Sequence, residues 1–160
     1  MFEDDHQKPK KVFSRKEAKL KAADYCAYQE RSQQEVRDKL YSYGLHYNDV
    51  EEVLSELITE NFINEERFAK AYAGGKFRMK KWGRLKILQG LKQHRISEYC
   101  IKKGLLEIPE SDYLNTIETL ISKKRSALNM TDQFAANQKI ASYLYQKGFE
   151  TNLIWEVLRK

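Results

Sequence analysis

One apolar frame occurs three times along the sequence, and this repetition limits the folds that the chain can adopt. The frame has five apolar positions and recurs after 51 residues and again after a further 53 residues. Its fifteen positions are Val36, Leu40, Leu45, Val50 and Leu54, then Ile87, Leu91, Ile96, Ile101 and Leu105, and finally Ile140, Leu144, Phe149, Ile154 and Leu158. A period near fifty residues with a fixed apolar spacing indicates three copies of one helical unit.

Helix-start signals lie between the apolar stripes. Ser14-Arg-Lys-Glu17 and Ser32-Gln-Gln-Glu35 both fit a capping box, in which a hydroxyl and a carboxylate bind free N–H groups of the first turn. Asn48 and Asn64 are the expected caps of the next two helices. The chain has only 7 Gly and 2 Pro residues, which suits long helices joined by short turns.

A helix end also recurs with the frame. Gly44 and Gly148 occupy matching positions, where glycine can supply a left-handed cap, and Arg95 occupies the position in the middle copy. We therefore expect an all-α protein of three tandem three-helix, helix-turn-helix-like repeats that form an elongated, curved array. The expected divisions are a disordered N-terminal tail at 1–13 and repeats at 14–61, 62–108 and 109–160.

The cysteines and histidines give no sign of a metal site. A closed structural zinc site uses four ligands at close spacing, whereas His6, His46 and His94 are scattered and have no matching cysteines. Cys26 and Cys100 are expected to be buried or half-buried thiols in a reducing cytosol. With no apolar run of transmembrane length and no apolar signal core, the sequence predicts a cytoplasmic monomer without a cofactor, metal or membrane partner.

No group of residues indicates catalysis. Gly74-Gly75 lies inside a helical pattern, and the sequence has no glycine loop of the Walker type for phosphate. The Glu65-Glu66 pair follows Asn64 directly, where negative charge suits the start of a helix. A two-metal nuclease would need clustered carboxylates, and the most basic stretch contains none. The protein is therefore expected to bind macromolecules and not to be an enzyme.

A basic stretch is the strongest functional signal from charge. The net charge is +6, and residues 67–97 contain ten Lys or Arg residues and no acidic one. Such density favours phosphate backbones through counterion release, although the charges could also pair with an acidic protein surface or keep a helix face solvated. Trp82 within the stretch could stack on a base or belong to the core. The candidate partner- or DNA-binding residues are Lys76, Arg78, Lys80, Lys81, Arg84, Lys86, Lys92 and Arg95.

Three segments in order resemble the RecX family of bacterial regulatory proteins. The first resembles the family's Arg-Ser-x-x-Glu-Leu-x-x-Lys-Leu run, Tyr28-Gln-Glu-Arg-Ser-Gln-Gln-Glu-Val-Arg-Asp-Lys-Leu40. The second resembles the signature segment of the family, Phe62-Ile-Asn-Glu-Glu-Arg-Phe-Ala-Lys-Ala-Tyr72. The third resembles a Gly-x-x-x-Ile-x-x-x-Leu run, Gly83-Arg-Leu-Lys-Ile-Leu-Gln-Gly-Leu91.

The resemblance implies a fold and a function. RecX proteins are tandem three-helix repeats that are not enzymes. They bind the RecA recombinase in the groove of its filament on DNA and modulate it, usually by inhibiting strand exchange, ATP hydrolysis and co-protease activity in DNA repair and the SOS response. The alternative from the residues alone is a direct helix-turn-helix-like DNA-binding module that acts without RecA.

Overall fold

The computed structural model describes residues 12–160, and this part of the chain consists of helices joined by short turns. The helices are α1 (Arg15–Tyr28), α2 (Gln33–Ser42), α3 (Tyr47–Thr59), α4 (Glu65–Lys80), α5 (Arg84–Gln93), α6 (Glu98–Leu105), α7 (Glu110–Leu128), α8 (Gln133–Gln146) and α9 (Thr151–Leu158). They form two compact units, one up to Asn64 and one from Glu65 to Lys160. The first unit therefore holds α1–α3 and the second holds α4–α9.

The repeated apolar frame forms the core. Thirteen of its fifteen positions are buried, and the other two, Leu105 and Leu158, pack against the buried cluster of the second unit. The first copy of the frame lies in its own cluster in the first unit. The second and third copies contribute to one shared cluster in the second unit. The described helices follow one another in three groups of three, and the prediction of an all-α fold built from three tandem three-helix repeats is confirmed.

Most of the tail that the sequence predicts at 1–13 lies outside the described residues. The structure describes its last two residues, Val12 and Phe13. The N–H of Phe13 donates a hydrogen bond to the carbonyl of Tyr43 at 3.0 Å, and the two rings meet edge to face at 5.4 Å between centroids. Phe13 thus packs on the core of the first unit, one residue before the cap of α1.

Two of the expected helix caps form and one does not. Ser14 accepts a hydrogen bond from the N–H of Glu17, and Ser32 forms a complete capping box with Glu35. Asn48 does not cap α3, so that prediction is wrong. The helix begins at Tyr47, because the N–H of Val50 already bonds to the carbonyl of His46 at 2.9 Å. The helix therefore starts two residues earlier than the polar signal suggests.

The recurring helix end is the same left-handed turn in all three copies. Gly44 and Gly148 have φ angles of +89° and +96°, and Arg95 has a φ of +59°. Glycine adopts this conformation freely, whereas for a residue with a Cβ atom the conformation is less stable by about 1–2 kcal/mol. The turn is therefore kept in the middle copy although the residue there is unfavourable for it.

Two glycines bring the second and third groups of helices together. The N–H of Gly83 donates to the carbonyl of Lys147 at 2.8 Å, and the N–H of Leu85 donates to the carbonyl of Gly148 at 2.9 Å. The first turn of α5 thus finds acceptors for its free N–H groups in the turn between α8 and α9. A Cβ atom on Gly83 would lie 2.3 Å from the backbone of Gly148, so only glycine fits. We call this contact the glycine seam.

Candidate partner-binding surface

All eight candidate cations lie in the second unit, along the end of α4, the following turn and α5. Five of them are exposed, namely Arg78, Lys80, Lys81, Lys92 and Arg95. The other three are partly buried, namely Lys76, Arg84 and Lys86. The structure brings some of these cations onto shared aromatic rings and places Arg84 in a separate cluster.

Trp82 contacts two of the candidate lysines. Its ring packs against the core of the second unit, and the Nζ atoms of Lys76 and Lys86 lie 4.9 Å and 4.7 Å from the ring centroid. Lysines at this range are attracted by the negative face of an indole ring. Trp82 is therefore a core residue that also positions two cations, and it does not offer a bare face for stacking on a base.

The third group of helices adds two lysines to the same surface. The ammonium of Lys147 donates a hydrogen bond to the carbonyl of Lys80 at 3.3 Å. It also lies 5.7 Å from the ring centroid of Tyr143, on which Lys124 lies at 4.6 Å. These contacts extend the basic surface from α4 and α5 to α7 and α8.

We call this set the lysine–aromatic surface, and its members are Lys76, Lys80, Trp82, Lys86, Lys124, Tyr143 and Lys147. Within residues 12–160, none of its five lysines forms an ion pair with a carboxylate. The charge pattern of the sequence did not identify Lys124 in α7 or Lys147 in the turn between α8 and α9, because both lie far along the chain from the basic stretch at 67–97. Their proximity depends on the glycine seam, which the charge pattern does not reveal.

Arg84 has a different environment from the other candidates. Its guanidinium bonds to Glu150 at 2.9 Å, also pairs with Glu110, and lies 3.8 Å from the ring centroid of Tyr113. The hydroxyl of Tyr113 accepts from the Arg84 N–H at 3.0 Å and donates to Glu150. Arg84 is thus held inside the second unit and is not a free surface cation.

The pKa values in this cluster follow from burial and pairing. Burial disfavours the charge on Arg84, but the hydrogen bond and attraction from Glu150 outweigh it, so the pKa of Arg84 is raised. Burial, followed by the hydrogen bond to Glu150, raises the pKa of Tyr113 far above its usual value. The phenol is therefore neutral and the guanidinium charged throughout the physiological range.

The starts of α5 and α6 are bonded to oxygen atoms from other parts of the second unit. In a helix-turn-helix protein the first residues of the second helix contact base edges in the major groove. At the start of α6, the N–H of Ser97 donates to the carboxylate of Glu65 at 2.6 Å. At the start of α5, the N–H groups of Gly83 and Leu85 donate to carbonyls in the glycine seam. The carboxylate at the start of α6 repels phosphate, which disfavours groove entry at that end.

Residues 12–160 show neither a group of metal ligands nor a membrane-spanning helix. Across residues 12–160, no group of three His, Cys, Asp or Glu side chains is placed to hold a metal ion. None of the helices in the same range is both long and apolar enough to cross a membrane. Cys26 and Cys100 are buried, as the sequence predicts.

Models of three successive domains match this chain. The model of RecX, first three-helix domain, matches residues 18–57, the model of the second three-helix domain matches residues 64–105, and the model of the third matches residues 110–158. The matches follow the chain in the order in which the three groups of helices occur.

Curated relatives and solved structures carry the same family name. "Regulatory protein RecX" of Bacillus cytotoxicus is 28% identical over 137 residues, which cover 86% of this chain and 51% of the relative. The protein of the same name from Clostridium perfringens is 27% identical over 132 residues, covering 81% and 61%. The chain thus spans about half to three fifths of the length of these two curated relatives.

The crystal structure of RecX from Lactobacillus salivarius superposes with a TM-score of 0.82 at 23% identity, covering 91% of this chain and 94% of that one. A second crystal structure of a regulatory protein RecX gives a TM-score of 0.80 at the same identity, covering 91% and 72%. The structural likeness supports the fold, and the three domain matches give the family. The chain belongs to the RecX family.

Proposed function

We propose that this protein regulates a RecA recombinase, mainly by inhibition, by binding in the groove of the RecA–DNA filament. It would thereby modulate strand exchange, ATP hydrolysis and co-protease activity in DNA repair and the SOS response. The observation that carries the proposal is the presence of all three RecX three-helix domains in one chain. The protein acts in this view as a cytoplasmic monomer without a cofactor, through binding and not through catalysis.

The lysine–aromatic surface is the part of the second unit that we assign to the filament. Its lysines have no carboxylate partners among the described residues, so their charges are available to an anionic partner. The exposed Lys81 follows Lys80 directly along the chain and adds a further positive charge beside this surface. We leave Arg84 out of this surface, because Glu110 and Glu150 already neutralise it.

The alternative function is a helix-turn-helix-like module that reads duplex DNA without RecA. The bonded starts of α5 and α6 oppose this alternative, because they place carbonyl or carboxylate oxygens where such a module presents groups to bases. The family matches also favour a regulator over a sequence reader.

The test measures the ATPase activity of a RecA filament on single-stranded DNA while the full chain is titrated. We expect the wild-type chain to inhibit and the Lys80→Glu/Lys81→Glu variant to require a higher concentration, because two exposed cations become anions. The charge-matched control is Lys16→Glu/Lys102→Glu, which changes two exposed lysines outside the basic stretch.

Fluorescence anisotropy of labelled single-stranded DNA, with and without the recombinase and ATP, completes the test. An effect of the wild-type chain on the filament supports the proposal. Absence of any effect on ATP hydrolysis or strand exchange, together with tight binding to duplex DNA alone, would overturn it in favour of the DNA-binding module.

A further inference from the structure

We infer that the lysine–aromatic surface is a track for the phosphate backbone of a single nucleic-acid strand, and that the strand crosses from the second three-helix domain to the third. The inference deepens the proposed function, because it names the component of the filament that this surface contacts. It adds Lys124 and Lys147, which lie outside the basic stretch of the sequence, to the binding residues.

The geometry provides a continuous row of cations. Two lysines share the ring of Trp82, two share the ring of Tyr143, and the hydrogen bond from Lys147 to the carbonyl of Lys80 joins the two pairs. The glycine seam fixes the distance between the pairs, since it bonds the backbone next to Trp82 to the backbone of Lys147. The row therefore belongs to one rigid part of the second unit.

The charges on this row are not paired with carboxylates in the part of the chain that the structure describes. In the first unit, by contrast, Arg15 pairs with Glu52 and Glu56, and Lys19 pairs with Glu56 and Glu60. The five lysines of the row have no such partners among the described residues. A row of unpaired ammonium groups releases counterions from a polyanion when it binds, which is the main source of affinity for phosphate backbones.

The composition of the row favours nucleic acid over an acidic protein. Protein–protein interfaces are enriched in arginine and depleted of lysine, because bidentate pairing and weaker hydration favour the guanidinium. This row contains lysine only, and lysine suits phosphate contact as a point charge. The rings of Trp82 and Tyr143 already carry cations, so the contact is to the backbone and is independent of base sequence.

A single strand fits better than a duplex. The starts of α5 and α6 are already bonded to the glycine seam and to the carboxylate of Glu65, which disfavours their entry into a duplex groove. What remains for contact is the row itself, and a flexible strand can adjust its phosphates to unevenly spaced ammonium groups.

The experiment uses the full chain and labelled oligothymidylate, with anisotropy measured over a series of salt concentrations. A duplex of the same length and polyglutamate serve as competing probes. The test variant is Lys124→Gln/Lys147→Gln. Its matched control is Lys102→Gln/Lys103→Gln, which removes the same charge from α6 and includes Lys103, a lysine that also lies over a tyrosine ring, at 5.5 Å.

We expect the wild-type chain to bind the single strand in preference to both competitors. Each lost phosphate contact lowers the slope of log K against log salt by about 0.7 for a single strand, so the test variant should lose about 1.4 from the magnitude of the slope. The control variant should keep the wild-type slope. Far-ultraviolet circular dichroism checks that all variants are folded.

Three results would overturn the inference: no binding to the strand, an unchanged slope in Lys124→Gln/Lys147→Gln, or polyglutamate or duplex competing better than the single strand. These results are separate from the proposed function, because no recombinase is present. Inhibition of the filament together with any of these three results would overturn the proposed strand contact but not the proposed regulation of RecA. Strand binding without an effect on the filament would overturn the proposed regulation but not the strand contact.

Discussion

Charged residues in the first unit are tied to one another across α1 and α3. Glu56 accepts a hydrogen bond from Arg15 at 2.6 Å and pairs with Lys19 at 2.9 Å. The hydrogen bond from Arg15, followed by that from Lys19, lowers the pKa of Glu56 below its ordinary value. The carboxylate is exposed, so the pairing is screened by solvent and its effect on stability is modest.

The lowered pKa gives a prediction with a definite sign. The carboxylate of Glu56 stabilises the fold above its unfolded pKa near 4.5, and this contribution disappears as the pH falls through the lower folded value. We expect Glu56→Gln to be less stable than the wild type near neutral pH, with the difference shrinking below about pH 4.5. Urea unfolding over a pH series measures this, and a difference that grows towards acid pH would contradict it.

Arg84 and Arg78 lie six residues apart and give a second prediction. Arg84→Ala leaves the carboxylate of Glu150 without its guanidinium donor and uncovers the ring of Tyr113, so we expect a loss of about 1–3 kcal/mol in the free energy of unfolding. The control is Arg78→Ala, which removes an exposed side chain that has no ion pair among the described residues. This variant should change the free energy of unfolding by less than about 0.5 kcal/mol. Urea unfolding compares the two variants, and equal losses of unfolding free energy would contradict the assignment of Arg84 to the interior of the second unit.

Sequence reasoning could not separate these arginines. Both lie in the same acid-free stretch, and the carboxylates that bind Arg84 are 26 and 66 residues away along the chain. Local pattern identifies where charge is dense, but only the folded chain decides which charges are neutralised.

At the scale of helices and turns, most features follow from local signals. Both serine caps form, the left-handed turn recurs at Gly44, Arg95 and Gly148, and the apolar frame is buried. The expected cap at Asn48 fails, because α3 already begins at Tyr47, where the N–H of Val50 bonds to the carbonyl of His46. Polar start signals are therefore weaker guides than the apolar stripe that follows them.

The glycines give a prediction at this scale. Gly83→Ala would place a Cβ atom 2.3 Å from the backbone of Gly148, so we expect a loss of about 1–3 kcal/mol in the free energy of unfolding. Gly75→Ala serves as the control, because it lies inside α4 and its Cβ atom would meet nothing within 4 Å. The control should be more stable than the wild type by about 0.5–1 kcal/mol. Thermal and urea unfolding test both variants. An unchanged free energy of unfolding in Gly83→Ala would show that the backbone of the glycine seam can shift to accommodate the added methyl group.

At the scale of the whole molecule, the sequence repeat predicts three similar domains but not how their cores combine. The second and third copies of the frame share one cluster, while the first copy has its own. The residues that join the second and third domains, such as Gly83, Tyr113 and Glu150, lie outside the frame. For the same reason the sequence predicted Lys76, Lys80 and Lys86 for the binding surface and missed the lysines of the third domain.

The shared core predicts joint opening of the second and third domains. In hydrogen–deuterium exchange of the full chain, Gly83→Ala should raise exchange in both α4–α6 and α7–α9, because the seam and the common cluster connect them. Peptides from α1–α3 should keep their wild-type rates, since their buried cluster contains none of the affected residues. Increased exchange confined to α5 would show that the two domains open separately.

The glycine seam also decides how this protein can be divided for biophysical work. A fragment cut between α6 and α7 would divide the shared buried cluster and leave the amides of Gly83 and Leu85 without their carbonyl acceptors. The family boundary at that point is thus a poor place to cut, although it separates two recognisable domains. Residues 65–160 form the smallest piece of this half of the chain that keeps its core and its backbone bonds intact.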